Sequence, residues 1–295
     1  MSTSERLTEV FASAKEIEFD NSSKLILFSD SHRGDNSWAD EFANNQNLFL
    51  HALNDYYQKG FTYIEIGDGD ELWENERFED IRKAHQDVFK LMQKFYQGGK
   101  LYLIWGNHDI ERKAREKVEE TLHRYYDEPT KRWEPFFEGI QVYEGLILRH
   151  KGTGKKIFLV HGHQADLFND WLWPLNRLLQ RYVWKPLQLF GVKDQTCPAK
   201  NFRRQVKIEE ELKRWAKAHD QMLVAGHTHS PAFPSPGEPL YFNAGSCVHP
   251  LWITGIEIQN GQIILAKWRV RVRDDGALYV EKELLVEGDL ASYMI

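Results

Sequence analysis

Residues that can bind divalent metal ions recur along the chain, each time directly after a short apolar run. Asp30 and His32 follow KLILFS, Asp68 follows FTYIEIG, and later runs end in GNHD, HGHQAD and GHTHS. Carboxylate and amide oxygens and imidazole nitrogens bind such ions, and two ions roughly 3.5–4 Å apart need a ligand that bridges them. The pattern therefore predicts a site that binds two divalent ions.

The predicted ligands number seven, with Asp68 as the natural bridging carboxylate. One residue separates Asp30 from His32, and one separates His227 from His229, so on an extended segment the two side chains of each pair point to the same side. The predicted ligands are Asp30, His32, Asp68, Asn107, His161, His227 and His229.

His108 lies beside Asn107, and its side chain is expected to point away from that ligand. An imidazole in this place suits a general acid, or a positive charge that faces phosphoryl oxygens, with Asp109 orienting the ring. His163, in the HGH sequence, is a candidate for contact with a substrate phosphate, and a structural role explains it equally well. His108 and Asp109 are thus the predicted catalytic residues.

The apolar runs have the length of buried strands, and several end in one of these polar clusters. Ligands bind at the carboxyl ends of strands in α/β sheets, so the clusters are expected to meet at one edge. Helical stretches alternate with the early strands, which predicts an α/β fold of two packed sheets with helices outside. The predicted strands are 24–29, 61–66, 100–105, 156–160, 221–225, 241–243, 252–258, 262–272 and 278–285, and the predicted helices are one at the N-terminus, 41–59, 78–96 and 111–126.

The chain, 1–295, is expected to form a single domain in which residues 166–218 are inserted as a helical cap. This segment is rich in Trp, Leu, Lys and Arg and is periodic enough for two or three helices, broken near Pro186 and Pro198. Two of its residues, Arg177 and Arg181, are candidates for substrate binding. A basic and aromatic cap could bind a phosphate flanked by an apolar group, or could contact a membrane surface. The alternative is that the apolar face of the cap packs on the sheets and its charges face the solvent.

The composition narrows the class of protein. Of the 295 residues, 42% are hydrophobic, and the net charge of -6 gives no general attraction to nucleic acid. Two cysteines are too few for a disulfide framework, and the sequence has neither a signal-peptide core nor a run of about 18 apolar residues. We therefore expect a cytoplasmic protein, with no nucleic acid favoured. The basic and aromatic cap is the basis for expecting a phosphorylated small molecule or a lipid-linked substrate as its partner.

The ordered motifs D-x-H, GD-x-x-[DE], GNHD, HG and GHTH resemble the calcineurin-like metallophosphoesterase superfamily, from Leu25 to about Gly245. The resemblance implies a four-layer α/β/β/α sandwich and a binuclear centre, with manganese expected and iron or zinc as alternatives. It implies that Asp30, His32, Asp68 and His229 hold the first ion, and that Asp68, Asn107, His161 and His227 hold the second. A hydroxide between the ions would attack the phosphorus of a monoester, diester or pyrophosphate, and His108 would assist the leaving group.

The chain departs from the superfamily pattern at Glu71, where the family more often has Asp, and this concerns the fine positioning of the site. A helical cap after the HG loop, and the D-x-x-[DE]-x-W pattern from Asp68 to Trp73, are similar to the UDP-2,3-diacylglucosamine hydrolases. Those enzymes usually have arginine at the position of His108 and aspartate directly after HG, where this chain has His163.

Two other classes of function stay open on the sequence alone. The same kind of site can cleave diesters, so a nuclease or a cyclic-nucleotide phosphodiesterase is the second enzyme class, although no long basic stripe lies outside the cap. A non-catalytic scaffold that binds a partner protein through the Trp-rich cap is the third. Such proteins usually lose metal ligands, and every expected type of ligand is present here.

Overall fold

The computed structural model describes residues 2–166, 177–189, 201–235 and 237–293, which form two large β-sheets flanked by helices. The described strands are β1 (Lys15–Phe19), β2 (Leu25–Phe28), β3 (Thr62–Ile66), β4 (Leu101–Ile104), β5 (Arg124–Asp127), β6 (Arg132–Pro135), β7 (Val142–Tyr143), β8 (Gly145–His150), β9 (Lys156–Val160), β10 (Met222–Ala225), β11 (Tyr241–Asn243), β12 (Trp252–Gln259), β13 (Gln262–Val272) and β14 (Leu278–Asp289). The described α-helices are α1 (Thr3–Ser13), α2 (Gln46–Gln58), α3 (Phe78–Ala84), α4 (Gln86–Gln97), α5 (Arg115–Leu122), α6 (Lys185–Leu189), α7 (Phe202–Ala218) and α8 (Leu290–Tyr293).

The strand order places the site strands side by side. The seven-stranded sheet has the order β14-β13-β12-β2-β3-β4-β7, and the five-stranded sheet has the order β1-β8-β9-β10-β11. Strands β2, β3 and β4 are parallel to one another, as are β9, β10 and β11. Parallel neighbours end at the same edge, so the loops that follow them meet there.

Three buried apolar clusters hold the layers together. Leu27 of β2 and Leu159 of β9 belong to the cluster between the two sheets. Phe49 of α2 covers the outer face of the seven-stranded sheet, and Leu7 of α1 and Trp215 of α7 cover the five-stranded sheet. Each such side chain stabilises the fold by about 1.5–3 kcal/mol when it is fully buried. The expected α/β/β/α order of layers is confirmed.

The central strands are apolar on both faces because both faces are covered. In β2, Leu25 and Leu27 lie in the cluster between the sheets, whereas Ile26 and Phe28 lie in the cluster under the helices. A strand of this kind has a continuous apolar run rather than an alternating pattern. The continuous apolar runs in the sequence therefore indicate strands that lie inside the sandwich.

Several predicted elements differ from the structure. The predicted helix 111–126 ends at Leu122, and its last residues form β5, which pairs with β6 in a separate hairpin. The predicted helix 78–96 is divided at His85, whose buried ring lies 2.8 Å from both Gln46 Oε1 and Asp40 Oδ2. Strands β1, β5, β6, β7 and β8 were not predicted. The predicted strands and the N-terminal helix are confirmed, and the strands 156–160, 241–243 and 262–272 have the predicted ends.

Residues 177–189 form one continuous helical segment, so the break predicted at Pro186 is wrong. A π turn, Gln180–Trp184, precedes α6, and the N–H of Lys185 donates to the carbonyl of Gln180 five residues earlier. Proline has no N–H to donate and its ring crowds the preceding turn, and a wider turn gives it room. Pro198 lies outside the described residues.

The last part of the predicted cap belongs to the sandwich. Ile208, Leu212 and Trp215 of α7 are buried against the five-stranded sheet. The cap that we predict within 166–218 can therefore reach only to the start of this helix. Among the helices that the structure describes, none is long and apolar enough to cross a membrane.

Candidate metal centre

The predicted ligands follow strands of both sheets and converge where the carboxyl ends of those strands meet. Those of the seven-stranded sheet follow β2, β3 and β4, and those of the five-stranded sheet follow β9 and β10. Three groups of possible ligands lie there among the described residues, and within each group one ligand atom per residue lies within 4.8 Å of the others. Two groups consist of predicted ligands: the first is Asp30 with His32 and His229, and the second is Asp68 with His161 and His227. The remaining group is His32 with Glu71 and His108.

In the first group, two imidazoles face one carboxylate and each other. His229 Nε2 is 3.1 Å from Asp30 Oδ1, and His32 Nε2 is 3.7 Å from the same oxygen. The two Nε2 atoms are 3.2 Å apart. At this distance the two Nε2 atoms cannot both carry a proton that points at the other nitrogen. If both nitrogens keep their lone pairs, one metal ion can be bound by the two rings together.

In the second group, Asp68 lies close to histidines of both groups. Its Oδ2 is 3.1 Å from His161 Nε2 and 3.7 Å from His32 Nε2. Its other oxygen, Oδ1, accepts a hydrogen bond from the backbone N–H of His108 at 2.8 Å. One carboxylate oxygen is thus fixed by the backbone, and the other faces both groups, as a bridging ligand requires.

Buried polar atoms without partners provide an independent test of whether metal ions fit. The buried atoms without a hydrogen-bond partner among the described residues include Asp30 Oδ1, His161 Nε2 and both side-chain polar atoms of Asn107, besides atoms outside the ligand set such as Ser31 Oγ. Such a group costs roughly 1–3 kcal/mol when it stays unsatisfied. Three predicted ligands thus have buried polar atoms that a divalent ion could satisfy, so the residues present fit divalent ions.

The backbone at the ligands is left-handed rather than extended, so the reason given for their pairing is wrong. Asp30, His32, Asp68, His227 and His229 have φ between 46° and 66°. A residue other than glycine pays roughly 1–3 kcal/mol for such a conformation, which persists where the surroundings enforce it. Asp30 and His32 still share a group, whereas His227 and His229 fall in different groups.

At Asp68 and His161, the charges of neighbouring groups outweigh the effect of burial on the pKa. Burial disfavours the charged His161 ring, but the carboxylates of Asp68 and Asp30 raise its pKa to about 9. Burial would raise the pKa of Asp68, and the charges of His161 and His108 instead hold that pKa well below its ordinary value. The pocket thus favours ionised carboxylates next to positive charge, as a cation site does.

Glu71, and not Asp109, orients the ring of His108. His108 Nδ1 lies 2.8 Å from Glu71 Oε1, and its ring stacks on Trp73 with centroids 4.3 Å apart. The other oxygen of Glu71 lies 2.8 Å from His32 Nδ1. Burial opposes the charge on Glu71, but the two histidines lower its pKa to about 2. One carboxylate therefore orients a predicted ligand and the predicted general acid, because glutamate is long enough to reach both.

Asp109 holds two site loops together instead of contacting His108. Its Oδ1 accepts a hydrogen bond from the N–H of Gly106 at 2.6 Å, and its Oδ2 accepts one from the N–H of Gly69 at 3.1 Å. Burial raises the pKa of Asp109 to about 6. Asp109 thus contacts the backbone of two loops, and the predicted orientation of the His108 ring comes from Glu71 instead.

The residues predicted to bind substrate contact protein groups. His163 is fully buried, and the centroid of its ring lies 5.2 Å from that of Trp105 and 5.5 Å from that of His161. Arg177 pairs with Glu111. Arg181 donates to the carbonyl oxygens of Leu72 and Trp73 at 2.8 and 3.1 Å. The two arginines fasten the segment 177–189 to neighbouring residues, and His163 lacks the open position expected for a phosphate contact.

A buried ion network that the sequence analysis missed lies beside the centre. The guanidinium of Arg33, directly after ligand His32, is fully buried and donates to both oxygens of Glu65 at 2.6 and 2.8 Å. Its Nε donates to Asp70 at 2.7 Å, and Arg112 contacts Asp70 from the other side. The glutamate inside the apolar run FTYIEI was the available signal, since a buried carboxylate needs a cationic partner.

Replacing Arg33 by methionine is expected to lower the free energy of unfolding by about 3–5 kcal/mol, because Glu65 and Asp70 would keep buried charges with too few partners. Chemical denaturation of both proteins measures the difference. Arg77→Met is the matched control, since Arg77 is 68% exposed and lies 3.9 Å from Asp80; a change within about 0.5 kcal/mol is expected. A loss below about 1 kcal/mol in Arg33→Met would contradict the importance of this network.

The fold and the site together define an α/β sandwich with His and Asp ligands for metal ions at its strand ends. Residues 23–231 match the model of the calcineurin-like phosphoesterase family, and the chain belongs to this family. The crystal structure of Chaetomium thermophilum Vps29 is similar at 11% identity and a TM-score of 0.42, over 91% of this chain and 97% of that chain. No curated protein matches the sequence. The family and the ligand clusters suggest a metal-dependent phosphoesterase.

Proposed function

We propose that this chain is a phosphoesterase with two divalent ions, manganese being the expected metal. The observation that carries the proposal is Asp68 Oδ2, which faces His161 at 3.1 Å and His32 at 3.7 Å. Asp30 and His229 complete the set for one ion, and Asn107 and His227 complete the set for the other. When bound, two such ions make a water molecule more acidic and offset the charge that develops on the phosphoryl oxygens.

The protein itself supplies the group that protonates the leaving oxygen, namely His108. Glu71 occupies Nδ1 of this ring, so Nε2 is the nitrogen that can donate to a substrate. Burial disfavours the charged ring, but Glu71 and Asp68 raise the pKa of His108 above its ordinary value. A raised pKa favours the protonated form, which a general acid needs.

The segment 177–189 supports a substrate with an apolar part. Two of its polar side chains face the protein, where Gln180 donates to Glu74 at 3.0 Å and Lys185 lies 2.7 Å from Asp35. Its exposed face is apolar, and the exposed residues among 177–187 are Leu178, Leu179, Tyr182, Val183, Pro186 and Leu187. A helix on a globular protein usually has the opposite arrangement. This face is proposed to contact the apolar part of a lipid-linked phosphate, or the membrane that contains it.

Chelation is expected to abolish hydrolysis of p-nitrophenyl phosphate and bis(p-nitrophenyl) phosphate, and added Mn²⁺ is expected to restore it, because the ligand set has no other means of activating water. Steady-state rates before and after treatment with EDTA measure the effect, with Ca²⁺ addition as the control for nonspecific rescue. A strong preference for the diester would favour the nuclease or cyclic-nucleotide class. Hydrolysis that continues at an unchanged rate in EDTA would contradict the proposal.

The double variant Leu178→Ser/Val183→Ser is expected to bind vesicles of anionic phospholipid at least roughly fivefold more weakly than the unaltered chain, because it removes apolar area from the exposed face. Co-sedimentation measures the bound fraction. Val272→Ser is the control, since Val272 is also exposed, at 66%, but lies at the end of β13. No binding by the unaltered chain, or equal binding by the double variant, would contradict membrane contact through this segment.

A further inference from the structure

A buried carboxylate lies against the predicted ligand His227. Asp166, at the end of a short turn, His163–Ala165, after β9, is 4% exposed. Its Oδ2 is 3.3 Å from His227 Nε2. Its own N–H donates to the carbonyl of His163 at 2.8 Å, which fixes the turn that presents the carboxylate.

Arg204, in the first turn of α7, holds the other side of Asp166. Its Nη2 lies 2.7 Å from the Asp166 carboxylate, and its side chain is 25% exposed. The same helix contacts the GHTH loop directly, since Glu209 Oε1 accepts a hydrogen bond from Thr228 Oγ1 at 3.1 Å. A helix of the outer layer is therefore connected to His227 through Asp166 and to the neighbouring residue Thr228 through Glu209.

The contact with Asp166 decides which nitrogen of His227 can bind an ion. A proton on Nε2, directed at a carboxylate, leaves Nδ1 with its lone pair, and a carboxylate partner also makes the ring a stronger ligand. We infer that Asp166 and Arg204 are positioning residues that fix the ring and tautomer of His227 and so set the affinity of one of the two ions. This inference rests on the proposed function.

The test is a calorimetric titration of the metal-free full chain with Mn²⁺. Asp166→Asn keeps the shape and removes the charge, and it is expected to weaken one of two binding steps about 10- to 100-fold while the other changes less than about twofold. Arg204→Gln is expected to weaken the same step by a smaller factor. Arg203→Gln is the control, because Arg203 precedes Arg204 on the same helix, is exposed and carries the same charge; it is expected to bind as the unaltered chain does.

Melting curves of the metal-free variants separate positioning from folding, since the inference predicts unchanged melting temperatures and weaker binding. Two binding steps of unaltered affinity in Asp166→Asn would overturn the inference and leave the proposed function intact. If Asp166→Asn does not fold, Arg204→Gln decides, and unaltered binding there would overturn the inference. If the unaltered chain itself binds no Mn²⁺, the proposed function fails as well.

Discussion

Asp68→Asn is expected to reduce the turnover of bis(p-nitrophenyl) phosphate at least roughly 1000-fold, because the change removes the charge of a carboxylate oxygen that faces both groups of ligands. An amide oxygen binds divalent ions less strongly than a carboxylate does, and an amide cannot bridge two ions as effectively. Steady-state kinetics with manganese, together with metal analysis of the same samples, measures both consequences. The bound metal is expected to fall below two ions per chain.

Asp87→Asn is the matched control for this prediction. Asp87 lies in the first turn of α4, and its side chain is 60% exposed next to Lys90. Its replacement is expected to leave turnover and metal content unchanged. If Asp68→Asn kept two ions and more than about a tenth of the activity, Asp68 would not be the bridging ligand.

His108→Gln is expected to lower kcat about 100- to 10000-fold for a substrate with a poor leaving group, because the variant has no proton to donate at that position. The loss is expected to be much smaller for p-nitrophenyl substrates, whose leaving group departs without protonation. Rates for a p-nitrophenyl ester and an alkyl ester in both proteins measure this difference. Metal content is expected to stay unchanged, since His108 is not among the ligands assigned to either ion.

The control is His51→Gln, which removes an exposed imidazole on α2. Equal losses for the two leaving groups in His108→Gln would contradict a role in general acid catalysis. Loss of metal in that variant would show instead that His108 supports the ligands, through the Glu71 carboxylate that it shares with His32.

The fold could be predicted from the sequence where a buried apolar strand is followed directly by metal-binding residues. The strands β2, β3, β4, β9 and β10 are apolar on both faces, so their runs are continuous, and each ends abruptly in polar residues. The layer order was predictable for the same reason. Strand β8 (GLILRH) is also largely buried but was not predicted, since neither a cluster of metal-binding residues nor an Asn-Gly or Asp-Gly turn sequence follows it.

The details of the site depend on contacts that spacing does not reveal. His227 and His229 lie one residue apart, but left-handed backbones send them to different groups. Gly226 precedes them because a side chain there would meet Ser29, with a β-carbon 1.8 Å from its hydroxyl oxygen. Spacing did not reveal the partner of His108 either. Glu71 lies 37 residues before His108, whereas Asp109, the predicted partner, is adjacent to it in sequence.

The central claim is that two divalent ions lie on either side of Asp68, and anomalous diffraction from a crystal of the manganese-loaded chain tests it most directly. The account predicts two manganese peaks roughly 3.5–4 Å apart, with Asp68 Oδ2 between them. It further predicts His32 and His229 next to one peak and His161 and His227 next to the other. A single peak, or peaks away from these residues, would contradict the binuclear centre.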